Sequence, residues 1–262
     1  MIRRIIPVLF AMDGHLVRSE KFNWHQRLGN LVAQVERYSQ WDLDELIYID
    51  ISRSRDDNSS YDSEFADFVQ LVADVCRMPL TFGGGIKSVR DAELLFENGA
   101  DKVVVSSAAI DNPALVESLA KRFGTQAVCI SLDVNKIGAD YILTSRCSSK
   151  IHSDLEIGKW IEIVQGLGCG ELFINPVHKD GSADGYDLTL AKIVLDAASV
   201  PVILCGGVGS PSDFENALRE TDASALAAGN FFNFRELSYP MLKRQLLKNF
   251  DTEIREWSGS LS

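Results

Sequence analysis

The chain has 262 residues, 46% of them hydrophobic and 24% charged, and carries a net charge of −11. That composition fits a globular chain with a large core and excludes a disordered one. The acidic balance argues against nucleic acid as the main partner, and no apolar run reaches the ~18 residues of a membrane span, so no membrane partner is expected.

The first predicted element is the buried strand RIIPVLF (4–10). The basic, apolar start around it is too short for a signal peptide and lacks a cleavage site. A long segment, residues 11–30, follows. Further strand-like runs are ELIYIDI (45–51), PLTF (79–82), KVVVSS (102–107), AVCISLDV (127–134), ELFIN (171–175), PVILC (201–205) and SALAAG (224–229). Helix-like stretches alternate with them, among them FADFVQLVADVC, VRDAELLFENG, PALVESLAKRFG, LTLAKIVLDAA and PSDFENALRE. Asn112 before Pro113 predicts a capping amide with proline at the first helical position, and Ser210 before Pro211 a capping hydroxyl. After the fifth strand, GADYILTSR alternates like a small hairpin within a second long segment, 135–152. The five cysteines, Cys76, Cys129, Cys147, Cys169 and Cys205, show no paired spacing, which fits reduced thiols in a cytoplasm.

The strands are apolar on both faces, as in a parallel sheet covered by helices. Eight such units in this length predict an α/β fold, a single (β/α)8 TIM barrel over 1–262, with an open doubly wound sheet as the alternative. PLTFGGGIK (79–87) recurs as PVILCGGVG (201–209), and DELIYIDI (44–51) is echoed by GELFINPV (170–177). The repetition predicts two similar half-barrels of four units each. Gly84 and Gly85 would end strand 3, Ser106 and Ser107 strand 4, Gly206 and Gly207 strand 7, and Ala228 and Gly229 strand 8. Such turns expose backbone N–H groups at helix starts and predict two phosphate sites across one mouth. The alternative is that the glycines serve tight turns only. The long segments 11–30 and 135–152 would sit on the same rim, where barrel active sites are built.

RRIIPVL, DELIYIDI, LTFGGGIKSVRDAELLFENGADKVVVSSAAI, HKDGSADGYDL and PVILCGGVGS together resemble the HisF family, over almost the whole chain. HisF is the cyclase subunit of imidazole glycerol phosphate synthase, in histidine biosynthesis. The resemblance implies a HisH-like glutaminase partner, ammonia passed through the barrel, and a bis-phosphate or sugar-phosphate substrate at its top. It implies no metal and no cofactor. Of the family's two catalytic aspartates, the strand 5 one matches Asp133. The strand 1 position holds Phe10, which cannot move a proton. Asp13, in the DG loop motif, and Asp50 are the candidate stand-ins. The family's ring of four gate charges matches Arg4, Glu45, Lys102 and Glu171, and Asp101 matches a residue facing the glutaminase. A structural ring on the non-catalytic face is the alternative reading of those charges. Phosphate positions match Gly84, Ser106 and Ser107 on one side and Asp180, Gly181 and Gly207 on the other. The family's loop 1 motif reads Gly29-Asn30-Leu31 here, strand 6 ends in Asn175-Pro176, and His178 is a loop histidine outside the family pattern.

Phe10 favours a changed reaction, as in a divergent HisF branch that adds an amidino group to surface-polysaccharide sugars. The alternatives are an ordinary cyclase and a conduit with no chemistry of its own.

Overall fold

The computed structural model describes residues 2–52, 61, 63–233 and 236–259, so the expected span of 1–262 reaches past them at both ends. The chain runs β1 (Arg4–Met12), β2 (His15–Glu20), β3 (Trp24–Asn30), α1 (Leu31–Ser39), β4 (Leu46–Asp50), α2 (Ser63–Val75), β5 (Leu80–Gly83) and α3 (Val89–Glu97). Then come β6 (Lys102–Val105), α4 (Ser107–Asp111), α5 (Ala114–Phe123), β7 (Val128–Ile137), β8 (Asp140–Ser145), β9 (Lys150–His152) and α6 (Ile157–Gly166). The last third holds β10 (Glu171–Pro176), α7 (Leu188–Ala197), β11 (Val202–Leu204), α8 (Pro211–Glu220), β12 (Ala225–Ala228), α9 (Asn230–Asn233) and α10 (Ser238–Phe250).

Strands β1, β4, β5, β6, β7, β10, β11 and β12 pair in that order, all parallel, and β12 closes back on β1. This is the (β/α)8 TIM barrel expected; closure excludes the open sheet. Side chains alternate across each strand, so one set fills the barrel and the other meets the helices. On β1, Ile6, Val8 and Phe10 point inward with Ile47, Val104, Cys129, Phe173, Ile203, Ala225 and Ala227. Ile5 and Leu9 face outward into the larger core beneath the helices.

Both long segments fold as antiparallel additions to the barrel. Strands β2 and β3 extend from β1 as a hairpin, turning at Asp13-Gly14 with φ of +50° and +73°. Two left-handed residues in a two-residue loop match the twist of the flanking strands. Strands β8 and β9 extend from β7, as the alternation of GADYILTSR predicts.

The half-barrel repeat shows in the turns. Gly84 has φ +100°, and a Cβ there would lie 2.0 Å from the carbonyl oxygen of Asp50; Gly207 has φ +86°, and its Cβ would lie 2.2 Å from that of Gly185. Only glycine fits either place. Each turn leads into a helix with the same capping box, Ser88 with Asp91 and Ser210 with Asp213. The predicted cap at Asn112 is not formed: α5 begins at Ala114, with Pro113 before it and no side-chain cap. The short helix α4 intervenes, and Asn112 terminates it instead, at φ −145°. Among the described residues, no helix is long and apolar enough to cross a membrane.

Candidate active site

Parallel strands aim their carboxyl ends at one mouth, and two cavities open there, of ≈ 310 and ≈ 290 Å³. Gly84, Gly85, Ser106, Ser107 and Asp133 line the first. Asp180, Gly181, Gly206, Gly207, Ala228 and Gly229 line the second. The ten residues expected at phosphates fall into two groups of four and six, one lining each cavity.

Asp133 stands on β7 with three donors around it. Ser106 Oγ donates to its Oδ2 at 2.7 Å, while Asn175 Nδ2 and Ser131 Oγ donate to its Oδ1 at 2.9 and 3.0 Å. Asn175 reaches it because β10 pairs with β7 in register, residue 175 beside residue 133. Three donors hold the carboxylate in one orientation.

Of the two candidate stand-ins for a strand 1 carboxylate, Asp50 lines the first cavity, buried at the end of β4, and its Oδ1 accepts from the Ser52 N–H at 2.8 Å. Asp13 lies in the exposed hairpin turn and lines neither cavity. Phe10 ends the inward row of β1 and lines both. It is buried, packs edge-on against Phe22 at 5.5 Å between ring centres, and sits so close to Gly229 that a Cβ there would lie 3.3 Å from its ring.

The hairpin of β2 and β3 is tied down across the mouth. Asp180 accepts from Ser19 Oγ at 2.6 Å and from the Phe22 N–H at 3.1 Å, and Asn230 Nδ2 donates to the Ser19 carbonyl at 3.0 Å. Burial raises the Asp180 carboxyl above its ordinary value, against the pull of these two donors. Phe22 itself has φ +51°, and Arg146, Cys147 and Ser148 on the opposite rim have φ of +54°, +51° and +66°. Left-handed backbone at non-glycine residues costs ~1–2 kcal/mol each and gathers at this mouth.

Several lining residues carry no signal in the pattern of glycines. Lys87, Arg146 and Ser131 line the first cavity and Arg18 the second. Lys87 alone was findable, two residues past the glycine turn. His178, flagged as unusual, lines neither cavity; its Nε2 meets Asp187 Oδ2 at 2.9 Å, and Tyr141 donates to the same carboxylate at 2.8 Å. Burial works to raise Asp187, but the Leu190 N–H, Tyr141 and His178 outweigh it and hold the group below its ordinary range.

At the other end of the barrel, Arg4, Glu45, Lys102 and Glu171 form one closed ring of charge. Arg4 bridges both glutamates, and Lys102 reaches Glu45 at 3.2 Å and Glu171 at 2.9 Å. Thr81 Oγ1 adds a hydrogen bond to Glu45 at 2.9 Å. Burial alone would lower both cations, yet the facing carboxylates hold Arg4 and Lys102 above their ordinary values. Asp101 is exposed beside the ring, and its Oδ2 accepts from the Leu80 N–H at 2.8 Å.

Fold and mouth together place the chain among the α/β barrels that build their sites from loops at the strand carboxyl ends. A family model described as histidine biosynthesis protein matches residues 4–238. An imidazole glycerol phosphate synthase subunit HisF from Hydrogenobaculum sp. is 33% identical over 249 residues, covering 95% of this chain and 97% of that protein. The HisF subunit of Alkaliphilus metalliredigens is 36% identical over 246 residues, covering 93% and 95%, and that of Metallosphaera sedula 34% over 253, covering 97% and 98%. The chain belongs to this histidine-biosynthesis family, and these relatives are its HisF members.

Proposed function

We propose that this chain is the synthase subunit of a glutamine amidotransferase pair, taking ammonia from a HisH-like glutaminase and delivering it to a phosphorylated substrate at the mouth. The supporting observation is the charge ring with an apolar interior above it. Arg4, Glu45, Lys102 and Glu171 neutralise one another around the axis, and Ile6, Ile47, Val104, Cys129 and Phe173 line the barrel beyond. An apolar passage strongly penalises ammonium and tolerates neutral ammonia. Asp101 would face the glutaminase at the ring's outer rim. At the mouth, the two glycine turns would hold phosphate through their N–H groups, and Asp133 would be the proton-transferring group.

Phe10 sets the reaction apart from that of the relatives. A phenyl ring cannot act as acid or base, and losing one positioned acid–base group costs ~10²–10⁴ in rate. We therefore read the chemistry as an amidation of another acceptor, a sugar-amidination role being the form this takes in a divergent HisF branch. The ordinary cyclase is the second reading. It is favoured by relatives named imidazole glycerol phosphate synthase subunit HisF, and by Asp50 standing in the same cavity as Asp133.

The test follows consumption of the bis-phosphate cyclase substrate with an ammonium salt, in wild type and in Phe10→Asp. An inert wild type and a Phe10→Asp variant gaining at least ~100-fold support the changed reaction. Wild-type turnover at the rate of a HisF relative assigns the chain to the cyclase reaction instead.

A further inference from the structure

His178 lies outside the family pattern and lines neither cavity, so it touches no substrate held there. Its own contacts are specific. It sits in the short 3-10 turn Val177–Lys179 between β10 and α7. It meets Asp187, the N-cap of α7, whose side chain is only 7% exposed. A carboxylate oxygen 2.9 Å from Nε2 fixes the ring proton on that nitrogen. Nδ1 is enclosed and meets no hydrogen-bond partner among the described residues, so the Asp187 contact is the ring's whole polar hold there. Asp187 is itself fixed. Its Oδ1 accepts from the Leu190 N–H at 2.9 Å, and Tyr141 on β8 donates to the same carboxylate at 2.8 Å. His178 thus ties the turn to an immobile point.

The other end of that turn grips the β2–β3 hairpin. The Asp180 N–H closes on the Val177 carbonyl at 3.1 Å. Asp180 then makes three bonds to the hairpin tip. Its carboxylate accepts from Ser19 Oγ and from the Phe22 N–H, and its carbonyl accepts from the Lys21 N–H at 3.1 Å. Gly181 follows so closely that a Cβ there would lie 3.0 Å from the Ser19 carbonyl oxygen. One tight turn therefore faces α7 on one side and the hairpin on the other. The hairpin in turn brings Phe22 into the lining of the first cavity and Arg18 into that of the second.

We propose that His178 is a positioning residue for the hairpin. By tying the turn to Asp187 it sets where Asp180 stands, and through Asp180 where Phe22 and Arg18 stand at the mouth. No proton or substrate passes by its ring. This role is independent of which acceptor the chain aminates, and testing it needs no substrate.

Hydrogen–deuterium exchange on the whole chain, read peptide by peptide, supplies the test. Losing one hydrogen bond shifts a local opening equilibrium about threefold to tenfold, so His178→Leu should speed exchange over residues 15–30 by that factor. His178→Gln returns an N–H to the reach of Nε2 and should restore the wild-type rate. The barrel strands, α7 and the midpoint of urea unfolding should stay as in wild type, because Asp187 still caps its helix. Tyr141→Phe should loosen β8 and leave residues 15–30 unchanged, since that cap still holds Asp187. Should His178→Leu not fold, His178→Asn, whose amide is too short to reach Asp187, takes its place. Faster exchange confined to residues 176–187 overturns the proposal and leaves the histidine a local brace. Faster exchange throughout the barrel also overturns it, as does a His178→Gln chain that exchanges as fast as His178→Leu.

Discussion

Asp133 and Phe10 lie in one mouth with opposite capacities for proton transfer. Asp133→Asn tests the carboxylate with little risk to the fold. The amide oxygen can take the Oδ1 place facing Ser131 and Asn175, and the amide NH2 can donate to Ser106 once its hydroxyl turns. Turnover of the chain's own acceptor with ammonium should fall ~10²–10⁴-fold, while the midpoint of urea unfolding stays near wild type. Unchanged turnover would remove Asp133 from the chemistry and leave a conduit. Asp133 was legible in the sequence because it ends an apolar strand in a family-like run. Phe22 was not, because its place on Phe10 depends on Ser19, Asp180 and Asn230 converging from three parts of the chain. Arg146 was hidden for the same reason: it lines the first cavity only because β8 folds back along β7.

The elements follow local rules where one sequence signal acts alone. Helix α3 starts where Ser88 and Asp91 cap each other, Asp91 Oδ2 accepting from the Ser88 N–H at 2.8 Å and Ser88 Oγ from the Asp91 N–H at 3.2 Å. Ser88→Ala should cost ~1 kcal/mol of stability, and because this cap closes the Gly84-Gly85 turn, phosphate affinity at the first cavity should drop with it. Chemical denaturation and calorimetry on one preparation measure both; an unchanged midpoint would show the cap to be idle. The local rule fails at Asn112-Pro113, where α4 uses the residues that should have opened α5. It is also silent over residues 15–30. HLVRSE and WHQRLGN carry few apolar residues, so nothing in their pattern names the hairpin they form. That hairpin is held in place by Asp180 and Asn230, a tertiary event.

Across the whole molecule, the charge ring ties four strands at the barrel floor. Lys102→Met leaves Glu45 and Glu171 with Arg4 alone, and should destabilise the fold at neutral pH by ~1–3 kcal/mol. The pH dependence has a definite sign. Burial works against the Lys102 charge, but Glu45 and Glu171 prevail, so the folded chain holds this proton more tightly than the unfolded one. Its stabilisation is complete below the ordinary lysine value of ~10.4 and is lost as pH rises through the higher folded one. The stability gap between wild type and Lys102→Met should therefore stay constant from neutral pH to about pH 10 and narrow above it. Buried tyrosines such as Tyr38 and Tyr186 also titrate high, but they do so in both proteins and cancel in the difference. A gap that never narrows would mean the lysine contributes no ionic stabilisation. The sequence by itself determined the barrel, its two-fold repeat and the glycine turns, because strand periodicity and turn chemistry act over a few residues; the ring residues were named through the family resemblance. Only the tertiary structure decided that Phe22 comes to lie against Phe10 at the mouth. That depends on where a buried aromatic pair comes to rest once distant loops are pinned together, and no short-range pattern encodes it.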